Sequence, residues 1–371
     1  MTTLDKILDL AGSDKFCRFG NADGKYWIMP VRRMRTAMNL YQPSGIKGKM
    51  VKSLLPLLHW LPPVRKAIHA ELLNCSLKEE LRTLLCKVFD TEELEFSIFE
   101  GTPSVHQKIT MQLSCGTRIL GYCKLSESND IKGLFEKESR ILRQLAESGI
   151  TDIPRALYCG TLTSGAHLFV QSTAKTASSK VIHEWSTLQE KFLEELREKT
   201  THVMLFENSD FCRTLEALES HIDWLPRNIE SKYIKHAIET LRKELTGRSM
   251  ELSAYHGDFT PWNMFVENGR LFVFDFEYAA KSYPHGLDKY HFFSQTAYFE
   301  KGWQAEEIIS YMNRDEGTWI DKQHYCMYLL DMISRFTTRE GKKVEGSETA
   351  LFAFWSNLLH FMQEQSEQHV L

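Results

Sequence analysis

The sequence predicts an α+β chain in which short successive strands come first and helices dominate afterwards. Three observations carry this. Residues 95–99, 107–113 and 118–125 are alternating or apolar runs of strand length joined by short polar connections. Residues 188–198, 213–222, 229–245 and 325–336 have helical spacing and alternate with polar stretches. The charge balance also shifts: from Met1 to Glu71 twelve Lys or Arg stand against five acids, a balance of +7, so with −4 overall the remainder totals −11.

The first 90 residues therefore read as a basic N-terminal extension. Its plainer and preferred reading is a segment packed on the strands that follow, with its basic face in water. The other is a surface for peripheral contact with an anionic membrane or a phosphorylated glycan, which Lys47, Lys49, Lys52, Arg65 and Lys66 with Trp60 would suit. No nucleic-acid motif accompanies the charge, so no nucleic-acid partner is expected. The most apolar stretch, residues 54–64, is too short for a bilayer and is broken by prolines.

Between the first two predicted strands lies the turn 100–106, with one glycine, Gly101, and Ser104 near its middle. Its backbone could lie over phosphates, or it could be an ordinary hairpin loop. Lys124 ends the third strand, and residues 131–148 read as a helix with Leu134, Ile141, Leu142 and Leu145 on its apolar face. Glu138 is placed to pair with Lys124, and Glu136 competes for the role. Residues 167–172 read as a further strand.

The motif that carries most chemistry is His256-Gly257-Asp258, with Asn263 five residues beyond the Asp and Asp275 further on. An Asp in such a loop can take or orient the proton of an attacking hydroxyl, and an Asn and a second Asp supply hard oxygens for a divalent metal. Asn268-Gly269 between two apolar runs is a strong hairpin signal. That hairpin is expected to bring Asn263 and Asp275 side by side.

This set resembles the aminoglycoside phosphotransferase and choline kinase superfamily over roughly residues 95 to 300. The resemblance implies a protein-kinase-like two-lobed fold, with a small antiparallel-sheet N-lobe at 91–173 and a larger, mainly helical C-lobe at 174–371. It implies an ATP- and Mg-dependent phosphotransferase acting on a hydroxyl of a small molecule, most plausibly a sugar or glycoside. Asp258, Asn263 and Asp275 would be catalytic, with Asn263 and Asp275 holding the metal. Lys124, Glu138 and Ser104 would serve the nucleotide, while His256 and Asp288 brace the loop. A choline or ethanolamine kinase is the alternative, weakened by Gly257, where choline kinases typically have Asn. A catalytically idle nucleotide-binding protein is the alternative of another class.

Residues 276–293 leave no room for a long activation segment and hold no A-P-E, which argues against a kinase of polypeptides. From Glu277 to Leu371 fourteen acids face nine Lys or Arg, too mild an excess to select a polycationic acceptor. Tyr298, Trp303, Trp319 and Trp355 could stack on an acceptor, although aromatics at helical spacing are more often core. The chain, with 371 residues and 43% hydrophobic content, can bury a substantial core. Its eight cysteines show no C-x-x-C or regular spacing, so neither a zinc module nor a disulfide framework is expected. With no cleavable leader read at the N-terminus, a cytoplasmic protein is expected, with contact at the inner face of a membrane as the further option.

Overall fold

Side-chain alternation builds the first half of the chain. A computed structural model describes residues 3–43, 45–101, 107–339, 341, 344 and 349–368, with side chains to residue 364. It divides into two compact units. The first comprises Met1–Glu147, Thr151–Lys180 and Phe265–Glu277, and the second comprises Ser148–Ile150, Val181–Met264 and Tyr278–Leu371.

The first unit is organised by an eight-stranded antiparallel sheet. Its order is Glu71–Asn74, Lys15–Gly20, Tyr26–Pro30, Glu95–Glu100, Ile109–Cys115, Arg118–Ser126, His167–Ser172 and Ala156–Thr161. Three strands thus come from the first 77 residues, a contribution that the basic composition of that region does not suggest. In the Tyr26–Pro30 strand Trp27 and Met29 join a cluster with Met34, Met38 and Leu55. Ile28 joins another with Phe16, Ile98, Met111 and Leu125, as the two-residue period requires. Leu81 and Leu85 of the Glu79–Phe89 helix close this second cluster, each buried leucine contributing roughly 1.5–3 kcal/mol. The Asn129–Glu147 helix buries Phe135, Ile141, Leu142 and Leu145, and with them a charged residue, Glu138.

Met264–Glu267 and Arg270–Val273 form the expected hairpin. Asn268 and Gly269 both have positive φ, 51° and 77°, the mirror-type turn that matches strand twist.

The second unit is mainly helical. Its core gathers Phe211, Leu215, Ile238, Tyr325, Leu329 and Phe352 from the Asp210–Ser220, Ser231–Leu245, Lys322–Thr338 and Thr349–Gln368 helices. Ser186 and Gln189 form a reciprocal capping box at the start of the Thr187–Thr200 helix, and Asp321 caps Lys322–Thr338. A three-stranded sheet, His202–Leu205, Ser249–Tyr255 and Ala280–Tyr283, leads into the loop that follows Tyr255. All eight cysteines are free.

Candidate active site

In the helical unit the Ser249–Tyr255 strand delivers His256, Gly257 and Asp258 into a braced turn. The amides of His256 and Gly257 donate to the two carboxylate oxygens of Asp288, at 2.9 and 3.0 Å. Asp288 sits in the first turn of the Leu287–Phe299 helix and is buried. Burial pushes its carboxyl up to about 7, against the pull of those two amides and of Arg335. The Asp258 amide donates to Nδ1 of His256 at 3.1 Å, so the His256 ring keeps that nitrogen unprotonated as an acceptor. His256 and Asp288 thus shape the loop.

Gly257 has φ +81°, and a Cβ there would lie 2.8 Å from the carbonyl oxygen of Tyr278. Both the backbone and the close approach demand glycine. The Asn that choline kinases typically carry would meet the same carbonyl. Gly257→Ala is expected to lower unfolding free energy by about 1–3 kcal/mol, measured by chemical denaturation; unchanged stability would show that the loop relaxes freely.

Asp258 is held from two sides. Nε2 of His291 donates to Oδ1 at 2.9 Å, and Nδ2 of Asn263 donates to Oδ2 at 2.7 Å. The same Asn263 nitrogen reaches the Asp258 carbonyl at 3.0 Å, which leaves its side-chain oxygen as the atom able to ligate. Burial raises the Asp258 carboxyl, but the His291 bond and the Arg335 charge outweigh it and hold the group below its ordinary value. Asp258 is therefore ionised at neutral pH.

Beneath the loop Arg335 donates to the Gly257 carbonyl and to Asp331, the latter at 2.7 Å, with its guanidinium 4.7 Å from the Tyr278 ring centroid. Buried Asp331 also accepts from Tyr255 and Tyr283, each at 2.9 Å. Neither Arg335 nor His291 is assigned a role by the sequence pattern. His291 follows Asp288 by three residues on one helix, the spacing that puts both on the same face.

The second cluster lies in the sheet unit. The Lys124 ammonium contacts Glu138 at 2.8 and 3.0 Å and Asp275 at 2.7 Å. Glu138 is fully buried and accepts also from the Phe276 amide at 3.2 Å. Glu136, the competing candidate, is exposed and lies 3.9 Å from Lys132. Burial disfavours the Lys124 charge, yet Asp275, Glu138 and Glu277 outweigh it and raise its pKa, so Lys124 stays cationic. Asp275 has φ +71°, a strained conformation for a non-glycine residue. Glu277, unassigned by sequence, pairs with Lys108. Glu138, Asp275 and Glu277 each offer a carboxylate oxygen, and these oxygens lie within 4.8 Å of one another. Such hard donors fit Mg²⁺. Ser104 lies outside the described residues.

Of the aromatics considered for an acceptor, Trp355 is core, packed on Phe336 and Phe352. Tyr298, Trp303 and Trp319 are partly buried against that core. Among the described residues of the helical unit the exposed rings are instead Trp262, inside the loop, and Phe299, which meet edge to face with centroids 6.1 Å apart.

No family model and no curated protein matches this chain. Solved structures do. Choline kinase LicA from Streptococcus pneumoniae aligns at 13% identity and TM-score 0.46, over 76% of this chain and 99% of its own. A putative fructosamine-3-kinase from Haemophilus somnus 129PT aligns at 11% and 0.45, over 76% and 97%. A thermostable mutant of aminoglycoside phosphotransferase APH(4)-Ia, in its apo form, aligns at 13% identity and TM-score 0.50, over 77% of this chain and 99% of its own. That last likeness, with the antiparallel-sheet unit and the helical unit, gives the chain the protein-kinase-like fold of the aminoglycoside phosphotransferases.

Proposed function

We propose that this protein is an ATP- and Mg²⁺-dependent phosphotransferase acting on a hydroxyl of a small molecule, a sugar or glycoside. The observation that carries the reading is the pair of donors on Asp258: His291 and Asn263 fix an ionised carboxylate in a loop of the right spacing to receive a hydroxyl proton. In the reaction the acceptor oxygen bonds to the γ-phosphorus while the bond from that phosphorus to the β,γ-bridging oxygen breaks. ADP leaves with the bond's electrons. The hydroxyl proton passes to the Asp258 carboxylate, whose orientation His291 and Asn263 maintain. Lys124, cationic and steadied by Glu138, offsets charge on the nucleotide phosphates. Magnesium, when bound, would supply charge neutralisation at phosphate oxygens, with Asp275 and the Asn263 side-chain oxygen as the residues to hold it.

The sugar or glycoside preference draws support from Trp262. Its ring is 45% exposed although it neighbours Asn263, and Phe299, 56% exposed, backs it from the side. An apolar face beside the catalytic loop suits the C–H face of a sugar ring. Trp262→Ala should forfeit about 0.5–1.5 kcal/mol of acceptor binding, read as a roughly two- to tenfold rise in KM for the acceptor with kcat little changed. An unaltered KM would remove the ring from the acceptor site.

The deciding experiment pairs a thermal shift with Mg·ATP and an assay of ATP consumption across sugars, aminoglycosides, choline and ethanolamine. Turnover of a sugar or glycoside is the expected result. Turnover of choline or ethanolamine alone would move the assignment to those amino alcohols. Nucleotide binding with no turnover of any acceptor would favour an idle kinase-like binding protein.

A further inference from the structure

The Ile46–Leu58 helix has two apolar faces, and one of them is open. Leu55 is buried and Val51 packs beside it in the cluster with Trp27, Met29 and Met38. A surface helix should then present polar residues on its other side. This one presents Ile46, Met50, Leu54 and Leu57, with 80%, 56%, 43% and 54% exposure, and Trp60 follows at 65%. Spacings of four, four and three residues place the first four on a single stripe. Scattered exposed hydrophobics need no explanation, but a contiguous stripe marks an interaction surface.

The charge around the stripe names the partner. Between Asp23 and Glu71 the chain holds no acid, while Lys25, Arg32, Arg33, Arg35, Lys47, Lys49, Lys52, Arg65 and Lys66 give nine cationic residues. Lys47 and Lys49 flank the stripe on opposite sides, since steps of 100° put them roughly 100° and 300° from Ile46. Among the described residues none of Lys47, Lys49 and Lys52 has a carboxylate within 4.0 Å; Lys52 donates to the side-chain oxygen of Gln42 at 3.3 Å. Beside the helix a cavity of about 230 Å³ is lined by Arg35, Met38, Asn39, Lys52, Ser53, Pro56 and Leu57. Two cations and two neutral polar groups there suit a phosphate, three apolar side chains complete the wall, and the cavity opens next to the apolar stripe. Burial lowers the Lys52 pKa, and a neighbouring anion would relieve that cost.

We propose that the Ile46–Leu58 helix, with Trp60 behind it, lies in the surface of an anionic phospholipid membrane, its stripe among acyl chains and Arg35 and Lys52 on headgroup phosphate. The helix is about 20 Å long and lies flat in this arrangement; no described helix is long and apolar enough to cross a bilayer. An apolar stripe and a cationic border are the two signals that together give stable interfacial binding. The proposal is independent of catalysis, because nothing in it requires the loop at Asp258.

The test is co-sedimentation of the full chain with vesicles of phosphatidylcholine alone and of phosphatidylcholine mixed with phosphatidylglycerol, at low and physiological salt. Binding to the mixed vesicles, weakening with salt, is expected. Replacing Lys47, Lys49 and Lys52 by Gln should weaken it on the order of a hundredfold, at about 1 kcal/mol per cation near an anionic surface. Replacing Ile46, Met50, Leu54 and Leu57 by Ser should abolish it while the melting temperature holds, since all four are exposed. A blue-shifted component of tryptophan emission on vesicles, absent in Trp60→Phe, places that ring in the interface. Failure to bind anionic vesicles at low salt, or binding indifferent to the serine variant, would overturn the proposal. A dimer in ultracentrifugation that the serine variant dissolves, without vesicle binding, would assign the stripe to a second copy of the chain.

Discussion

Asp258→Asn is expected to slow phosphate transfer by about 10²–10⁴-fold, the usual contribution of a positioned general base, with nucleotide affinity near that of the parent. The geometry explains why so small a change should matter. Both Asp258 oxygens accept a hydrogen bond, from His291 and from Asn263. An amide can accept from only one of them, so the side chain loses its charge and also its fixed orientation. The lost bond should cost about 1 kcal/mol of stability, which denaturation can separate from the catalytic effect. The pH profile gives a second readout. Because the His291 bond and the Arg335 charge hold the Asp258 carboxyl below its ordinary value, it stays ionised as pH falls from neutrality and takes up its proton only on the acid side. The parent should therefore keep its rate through neutral pH and lose it in acid, and the variant should lack that limb. Near-normal turnover of the Asn variant would sink the assignment of Asp258.

Asp275→Ala should erase the Mg²⁺-dependent part of nucleotide binding. At ligand a hundredfold above Kd, binding stabilises a protein by about 2.7 kcal/mol, and this increment is the quantity to compare between parent and variant with and without magnesium. A control is needed because Asp275 also contacts Lys124 at 2.7 Å. Asp275→Asn keeps the shape while removing the charge, so both variants should lose the magnesium increment. Lys124 retains Glu138 in each. Calorimetry showing unchanged Mg·ATP affinity and turnover in both would mean that the metal is held elsewhere.

The sequence made some parts of this molecule legible through local, fixed spacing. Asp258 and Asn263 are five residues apart in one loop, and the hairpin after them announces itself through Asn268-Gly269, so no long-range information was needed. The strands at Glu95–Glu100, Ile109–Cys115 and Arg118–Ser126 and the helix at Asn129–Glu147 follow from periodicity, each with ends moved by a residue or two. Glu138 and Glu136 differ by only two positions, yet they lie on different sides of that helix. Only Glu138 reaches Lys124.

Other parts depend on contacts that no window of sequence contains. His291 sits in Leu287–Phe299, a helix buried on most sides, where Tyr290, Phe292 and Ala297 erase the amphipathic contrast that would single out a polar residue. Glu277 looks like one more acid after Asp275 until Lys108, from a distant strand, meets it. The strands Lys15–Gly20, Tyr26–Pro30 and Glu71–Asn74 are short and rich in basic neighbours, and only their place in the sheet identifies them.

That place in the sheet has a consequence for how the chain is made. Tyr26–Pro30 pairs on one side with Lys15–Gly20, which the ribosome has already released, and on the other with Glu95–Glu100, which it has yet to synthesise. At roughly 5–20 residues per second, the backbone edge of Tyr26–Pro30 waits seconds for that second partner, with Trp27, Ile28 and Met29 beside it. An apolar strand with a bare edge invites pairing with a neighbouring nascent chain. Lys25 before the strand and Arg32, Arg33 and Arg35 after it are placed as charged gatekeepers against such pairing. Part of the basic character of this region thus protects the sheet while it is still incomplete.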